Sequence, residues 1–162
     1  MSTRVIPGGR RRTLSYDLGF MSMRWMVLVI FLGSLLGTGM ELFFLDHTQG
    51  FDQLIPIVLM VMSLLILAWH ALERKSASLQ AFRITMLLMV ASGILGAVLH
   101  YRVNAEFERE TDPNIKGTQL LSKVLTGAAP ALAPGTMIQL GLLGLVYTFR
   151  HPVFGTISRE HI

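Results

Sequence analysis

The chain has no cysteine and carries little charge for its length. Of its 162 residues, 15% are Asp, Glu, Lys or Arg, against about 25% in an average soluble domain. The absence of cysteine excludes disulfides, thiolate metal ligands, iron–sulfur clusters and cysteine nucleophiles. The low charge argues against an ordinary soluble globule, which at this size keeps much of its surface in water. It also argues against a disordered chain and a nucleic-acid-binding module.

Hydrophobic residues make up 52% of the chain and are concentrated in four runs. A bilayer core about 30 Å thick needs roughly 20 apolar helical residues. Four runs meet or nearly meet that length, and none shows the alternation of a barrel strand. They cover residues 25–45, 53–72, 84–101 and 128–149. We therefore predict an all-α membrane protein whose residues 25–149 form a four-helix transmembrane domain, an antiparallel bundle.

The positions of lysine and arginine predict the orientation of this bundle. Ten of the fourteen basic residues fall on the side that holds both termini and the second connection: Arg4, Arg10, Arg11, Arg12, Arg24, Arg74, Lys75, Arg83, Arg150 and Arg159. The positive-inside rule then makes residues 1–24 a basic cytoplasmic arm and residues 150–162 a cytoplasmic tail. We expect a cell-membrane location, favouring a bacterial inner membrane. The net charge of +4 is thus a topology signal, and we expect no nucleic-acid partner.

The outer connection, residues 102–127, is long and polar. Nothing before Glu110 stops the third helix except two glycines inside the span, so that helix should extend out of the membrane. Thr111 or Asp112 followed by Pro113 is a good start for a new helix. Apolar residues among polar ones from Ile115 onward predict a short amphipathic helix at the outer interface. A loop that caps the bundle is the alternative.

Residues 127–136, GAAPALAPGT, are poor helix formers at the entry to the fourth span. A proline inside a helix removes one hydrogen bond and crowds the preceding turn. In one picture Pro130 starts the fourth helix and Pro134 kinks its first turn. In the other, the helix starts near Pro134 and irregular backbone precedes it. We favour the kinked helix, because membrane helices tolerate proline.

Small residues predict where the helices touch, because they let backbones approach closely in lipid. Three helices carry pairs of glycines on one face: Gly33 and Gly37, Gly93 and Gly96, and Gly141 and Gly144. Glu41 continues the row of the first pair and His100 follows Gly96 at i+4. Both ionisable side chains are therefore expected to point into the bundle.

A polar cluster at the outer end of the bundle is the candidate functional site. Glu41 and His100 are expected at similar depth, so a carboxylate–imidazole hydrogen bond between them is plausible. The predicted cluster comprises Glu41, His47, His100, Tyr101, Asn104 and Glu108. Ionisable groups inside a membrane are functional-site candidates by default. The competing interpretation is a hydrogen bond that only fixes the helix register.

Two kinds of cofactor fit this pattern, although the sequence requires none. His100, Glu41 and Glu108 are candidate metal ligands, and their nitrogen and oxygen donors suit zinc, manganese or iron. No helix carries the Glu-x-x-His repeat of di-iron bundles. Haem fits less well, because the histidine pairs His47 with His100 and His70 with His151 lie at helix ends or in loops.

For function we favour a non-catalytic subunit or scaffold of a membrane assembly. Its partners would be the lipid bilayer and either other membrane subunits or a second copy of the chain. The alternative is a membrane-embedded metal- or proton-handling protein, an enzyme or transporter, centred on Glu41 and His100. We found no nucleophile-elbow or phosphate-loop motif that would favour hydrolytic chemistry.

Overall fold

The computed structural model describes residues 8–44, 51–127 and 134–155, with side chains within 21–44, 53–127 and 134–153. These parts of the chain are helical and contain no strand. The helices are α1 (Gly8–Phe44), α2 (Phe51–Glu73), α3 (Ser76–Thr111), α4 (Gly117–Leu125), α5 (Gly135–Thr148) and α6 (Pro152–Gly155). By length and composition, three of them can cross a membrane, through Met21–Phe44 of α1, Gln53–Glu73 of α2 and α3 itself. Helix α5 is shorter and also apolar.

A tight turn joins α2 to α3. Arg74 takes a left-handed backbone conformation with φ of 50°, and its N–H donates to the carbonyl of His70 at 2.8 Å. The carbonyl of Lys75 accepts a hydrogen bond from the Ser78 hydroxyl at 2.7 Å. Only two residues separate the helices, so α2 and α3 fold back on each other as an antiparallel pair.

The four apolar helices pack in the order α1, α5, α3 and α2. Helix α3 packs most extensively against α5 and then against α2, and α1 packs against α5 but only lightly against α2. The core lies where these helices meet: Phe31, Leu35, Met60, Ile66, Phe82, Met86, Met89, Met137 and Leu140. Methionine suits such irregular spaces because its side chain is unbranched and flexible.

The contact between α3 and α5 is made through glycines. A Cβ at Gly93 would lie 2.8 Å from the carbonyl oxygen of Pro134, and one at Gly141 would lie 2.7 Å from that of Met86. A Cβ at Gly96 would meet the ring of Pro134, and one at Gly144 would collide with the Met86 side chain. The two backbones can approach this closely only because these side chains are absent.

The fourth apolar helix starts later than the kinked-helix prediction requires. Helix α5 begins at Gly135, directly after Pro134, and its 14 residues span about 21 Å at 1.5 Å per residue. Pro134 precedes the first helical residue, where its missing N–H leaves no hydrogen bond unmade. This start matches the alternative picture, a helix beginning near Pro134. Residues 128–133, including Pro130, lie outside the described residues.

The outer connection contains a helix, but it starts four residues beyond the predicted Pro113. Asp112 instead accepts a hydrogen bond from the N–H of Asn114 at 3.0 Å, which closes a turn at Pro113. Helix α4 then begins at Gly117, whose φ of 59° favours glycine. The predicted continuation of the third helix toward Glu110 is confirmed, since α3 ends at Thr111.

Candidate functional site

A cleft of about 310 Å³ lies between α1 and α5, beside the segment where α1 approaches its C-terminal end. We call it the α1–α5 cleft. Five of its seven lining residues have polar side chains: Ser34, Gly37, Thr38, Glu41, Thr136, Gln139 and Leu140 line it. Ser34, Thr38 and Glu41 follow the i, i+4, i+7 spacing that places them on one face of α1. Leu140 is buried in the core, so polar side chains from two helices surround an apolar floor.

Three exposed glycines lie on or beside this cleft with open space around them. A Cβ at Gly33, Gly37 or Gly135 would meet no atom within 4 Å. The core-facing side of α1 is a different one and holds the buried residues Phe31 and Leu35. Helix α1 thus has two faces, one packed in the bundle and one small and polar face that the described part of the chain covers only in part.

The expected hydrogen bond between Glu41 and His100 does not form. Nδ1 of His100 is buried without a hydrogen-bond partner among the described residues, and Glu41 lines the α1–α5 cleft. The order of the helices explains the separation. The main neighbour of α1 is α5, whereas α3 packs against α5, α2 and α4. Similar depth therefore does not bring the two side chains together.

Asn104 and Glu108 attach α4 to α3. Nδ2 of Asn104, which is 4% exposed, donates to the carbonyl of Val124 at 2.9 Å. The Glu108 carboxylate pairs with the Lys123 ammonium at 3.2 Å. An apolar cluster lies around these contacts: Ala105, Ile115, Leu120 and Val124. Both predicted site residues thus take part in docking α4.

The remaining predicted site residues do not converge on one point. Tyr101 is exposed and lines an open groove of about 530 Å³ whose other lining residues are all on α3: Arg102, Ala105, Glu106, Arg109 and Glu110. His47 lies outside the described residues. Within the part of the chain that the structure describes, no three histidine, aspartate or glutamate side chains are grouped as a metal ion requires. The candidate ligands His100, Glu41 and Glu108 are therefore not gathered there.

A second polar cluster, which we call the histidine cluster, lies at the opposite end of the bundle. Nδ1 of His70 lies 2.8 Å from the hydroxyl oxygen of Ser78. Because that hydroxyl donates its hydrogen to the Lys75 carbonyl, we assign the ring nitrogen as the donor. His70 and His151 meet edge to face with ring centroids 5.3 Å apart, and Tyr147 packs on His151 at 5.7 Å. The direct ring contact leaves no space for a porphyrin between the two imidazoles.

Arg24 joins α1 to the histidine cluster. Its guanidinium donates to the carbonyl of Phe149 at 3.3 Å and to the carbonyl of Arg150, the two residues that directly follow α5. Burial, and then the positive charge of Arg24, lower the pKa of His151 from 6.5 to about 4. The imidazole of His151 is therefore neutral at pH 7 and packs as a weakly polar ring.

Sequence reasoning paired His70 with His151 only as possible haem ligands, and it missed the other residues of the histidine cluster and the α5 side of the cleft. Nothing in the spacing of Arg24, Ser78 and Tyr147 shows that three separate helices bring them together. The α1 side of the cleft could have been predicted from the sequence, because Ser34, Thr38 and Glu41 repeat at helical spacing beside Gly37. The row of Gly33, Gly37 and Glu41 was assigned to the bundle interior, and the structure places Gly37 and Glu41 at an open cleft.

The described part of the chain is helical, and its long apolar helices are compatible with a membrane protein. Comparison with known proteins adds no relative: no family, curated protein or solved structure matches the chain.

Proposed function

We propose that this chain is a non-catalytic subunit of a membrane assembly and that it docks a transmembrane helix of another subunit in the α1–α5 cleft. In this proposal α1, α2, α3 and α5 all cross the cell membrane, both termini are cytoplasmic, and α4 lies on the outer side. The observation that carries the proposal is the cleft itself, in which small and polar residues are exposed on an apolar helix.

The positions of the basic residues support this topology. Arg24 contacts the carbonyls of Phe149 and Arg150. The α2–α3 turn, with Arg74 and Lys75, lies at the same end, because His70 beside it contacts His151. The end of the basic arm, the second connection and the start of the tail therefore meet. The positive-inside rule makes this the cytoplasmic end.

The depth of Glu41 supports docking within the membrane. At 1.5 Å per residue, Glu41 lies about 26 Å along α1 from Arg24, within a hydrocarbon core about 30 Å thick. A charged side chain facing lipid is unfavourable by up to about 3 kcal/mol at the helix centre, and by less near the boundary. A partner helix would remove Glu41, Ser34 and Thr38 from lipid and supply hydrogen bonds to them.

The glycines explain how a partner helix would fit. Without side chains at Gly33 and Gly37, a second backbone can approach α1 closely and gain dispersion contacts along its length. Gly135 offers the same access on the α5 side. A surface that is small, polar and open is expected on a subunit, since a chain that works alone gains nothing from leaving it unfilled.

Site-specific photocrosslinking in the native membrane tests the proposal. A photoreactive residue replaces Ile30, which shares the helical row of Ser34 and Gly37. In a matched control it replaces Leu36, a lipid-exposed residue on another side of α1. We expect crosslinks from position 30 to one protein of defined mass, which is also present in fixed ratio in the gently extracted complex. Position 36 should yield lipid adducts.

A second variant tests whether that partner binds in the cleft. Gly37→Ile should remove the partner from the extracted complex, because its side chain fills the space that a helix backbone needs. Leu36→Ile is the control and should retain it. Equal crosslinking from positions 30 and 36, or an extracted particle with the mass of a single chain, would contradict the proposal.

A further inference from the structure

Glu41 is the one charged residue that lines the α1–α5 cleft. It is exposed, and among the described residues it forms no ion pair. The other polar lining side chains are hydroxyls and an amide, which can hydrogen-bond to a carboxylate but cannot balance its charge. The cleft thus presents a negative charge inside a ring of neutral polar groups.

In the described part of the chain, no cation lies near Glu41 on the helices that form this cleft. The basic residues on its side of the bundle, Arg102, Arg109, Lys116 and Lys123, belong to α3, α4 or the turn between them. Helix α1 packs against α5 and lightly against α2. The described chain therefore does not neutralise Glu41 by itself. Inside a low-dielectric bilayer, an opposite charge close by is the most effective stabilisation.

We infer that the helix docked in the α1–α5 cleft carries a lysine or arginine that pairs with Glu41. This inference rests on the proposed function, because it names the chemistry of the docked helix. The small residues of α1 provide the close approach, and the charge pair sets the depth and register of the partner. Polar and charged groups often specify register in this way when they pair across an apolar interface.

A second copy of the chain fits the cleft less well. Two copies in one membrane share the same orientation, so a two-fold axis would bring both Glu41 carboxylates to the same depth. Like charges at close range repel, most strongly where water is scarce. The charge of the cleft therefore favours a different protein whose membrane helix carries a basic residue.

The experiment measures the crosslinking yield from position 30 in variants of Glu41. Glu41→Asp keeps the charge and should retain most of the yield, whereas Glu41→Gln should lower it at least fivefold and Glu41→Lys should abolish it. Glu106→Gln on α3 is the matched control, an exposed acid outside the cleft, and should leave the yield unchanged. The crosslinked partner peptide should contain Lys or Arg, and exchanging that residue for Glu should restore crosslinking to Glu41→Lys.

Different negative results would overturn the docking proposal and the inferred charge pair. If position 30 crosslinks a distinct protein equally well in Glu41→Gln and in the unmodified chain, the charge pair is wrong and the docking proposal stands. Crosslinking to a second copy of the chain would also overturn the charge pair. If position 30 yields only lipid adducts in every variant, the docking proposal fails, and the inferred pair fails with it.

Discussion

At the scale of single residues, glycine has two roles in this chain. Gly93 and Gly141 sit where a Cβ would overlap the backbone of the neighbouring helix, whereas Gly33 and Gly37 have open space around them. These four glycines look alike in the sequence, since each lies in an apolar run three or four residues from another glycine. The two kinds of glycine differ only in the folded bundle, where some face a closely packed helix and others do not. Substitution by alanine should therefore affect stability differently at the two kinds of site.

Gly141→Ala should destabilise the purified chain. Its new methyl group would lie 2.7 Å from the Met86 carbonyl oxygen, so α3 and α5 must separate. Overpacking of this kind costs about 1–3 kcal/mol. That cost exceeds the gain of up to about 1 kcal/mol from replacing glycine by alanine in a helix. The measurement is unfolding by a denaturing detergent, followed through the fluorescence of Trp25 and Trp69.

Gly37→Ala is the matched control for that measurement. Its methyl group meets no atom within 4 Å, so the midpoint of unfolding should stay unchanged or rise slightly. A loss of stability at Gly37 equal to that at Gly141 would contradict the close approach of α3 and α5 as the cause.

At the scale of elements, α4 depends on the part of α3 that continues past the apolar run. Asn104 and Glu108, one turn apart, bind the last turn of α4, and Leu120 and Val124 pack below them. The long α3 is thus a support that holds a nine-residue helix. A helix this short is not stable alone in water.

Asn104→Ala should loosen α4 without unfolding the bundle. The substitution leaves the Val124 carbonyl without its buried donor, and a hydrogen bond of this kind contributes about 0.5–1.5 kcal/mol. Amide hydrogen exchange in α4 should become roughly tenfold faster, since about 1.4 kcal/mol corresponds to a factor of ten. Gln119→Ala, on the exposed side of α4, is the control. Unchanged exchange in Asn104→Ala would show that the apolar cluster and the Glu108–Lys123 ion pair hold α4 without this hydrogen bond.

The sequence allowed the helices to be predicted better than their contacts. A long apolar run in lipid must be helical, because the backbone has no other way to satisfy its hydrogen bonds. Apolar runs therefore located α2 and the apolar parts of α1 and α3. The start of α5 at Gly135 matches only the alternative to the favoured kinked helix. The lateral order of the helices could not be predicted, so Glu41 and His100 were paired although α1 and α3 each pack mainly against α5 rather than against each other.

At the scale of the whole molecule, the short helix α5 decides the topology. Its 14 residues reach about 21 Å, less than the hydrocarbon core of about 30 Å. Its contacts nevertheless extend along the bundle, from Pro134 beside Gly93 and Gly96 to Phe149 beside Arg24. Because its end meets Arg24 and the α2–α3 turn, we expect the tail on the same side of the membrane as that turn.

Cysteine labelling measures this topology directly, because the chain has no cysteine of its own. Single cysteines replace the exposed residues Thr118 in α4, Ala77 at the start of α3 and Pro152 after α5. In intact cells a membrane-impermeant maleimide should label only Thr118→Cys, and permeabilisation should expose the other two. Labelling of Ala77→Cys in place of Thr118→Cys would show that the chain has the opposite orientation in the membrane. Labelling of Pro152→Cys together with Thr118→Cys would show that α5 returns to the outer side, and both the fourth span and the cytoplasmic tail would then be wrong.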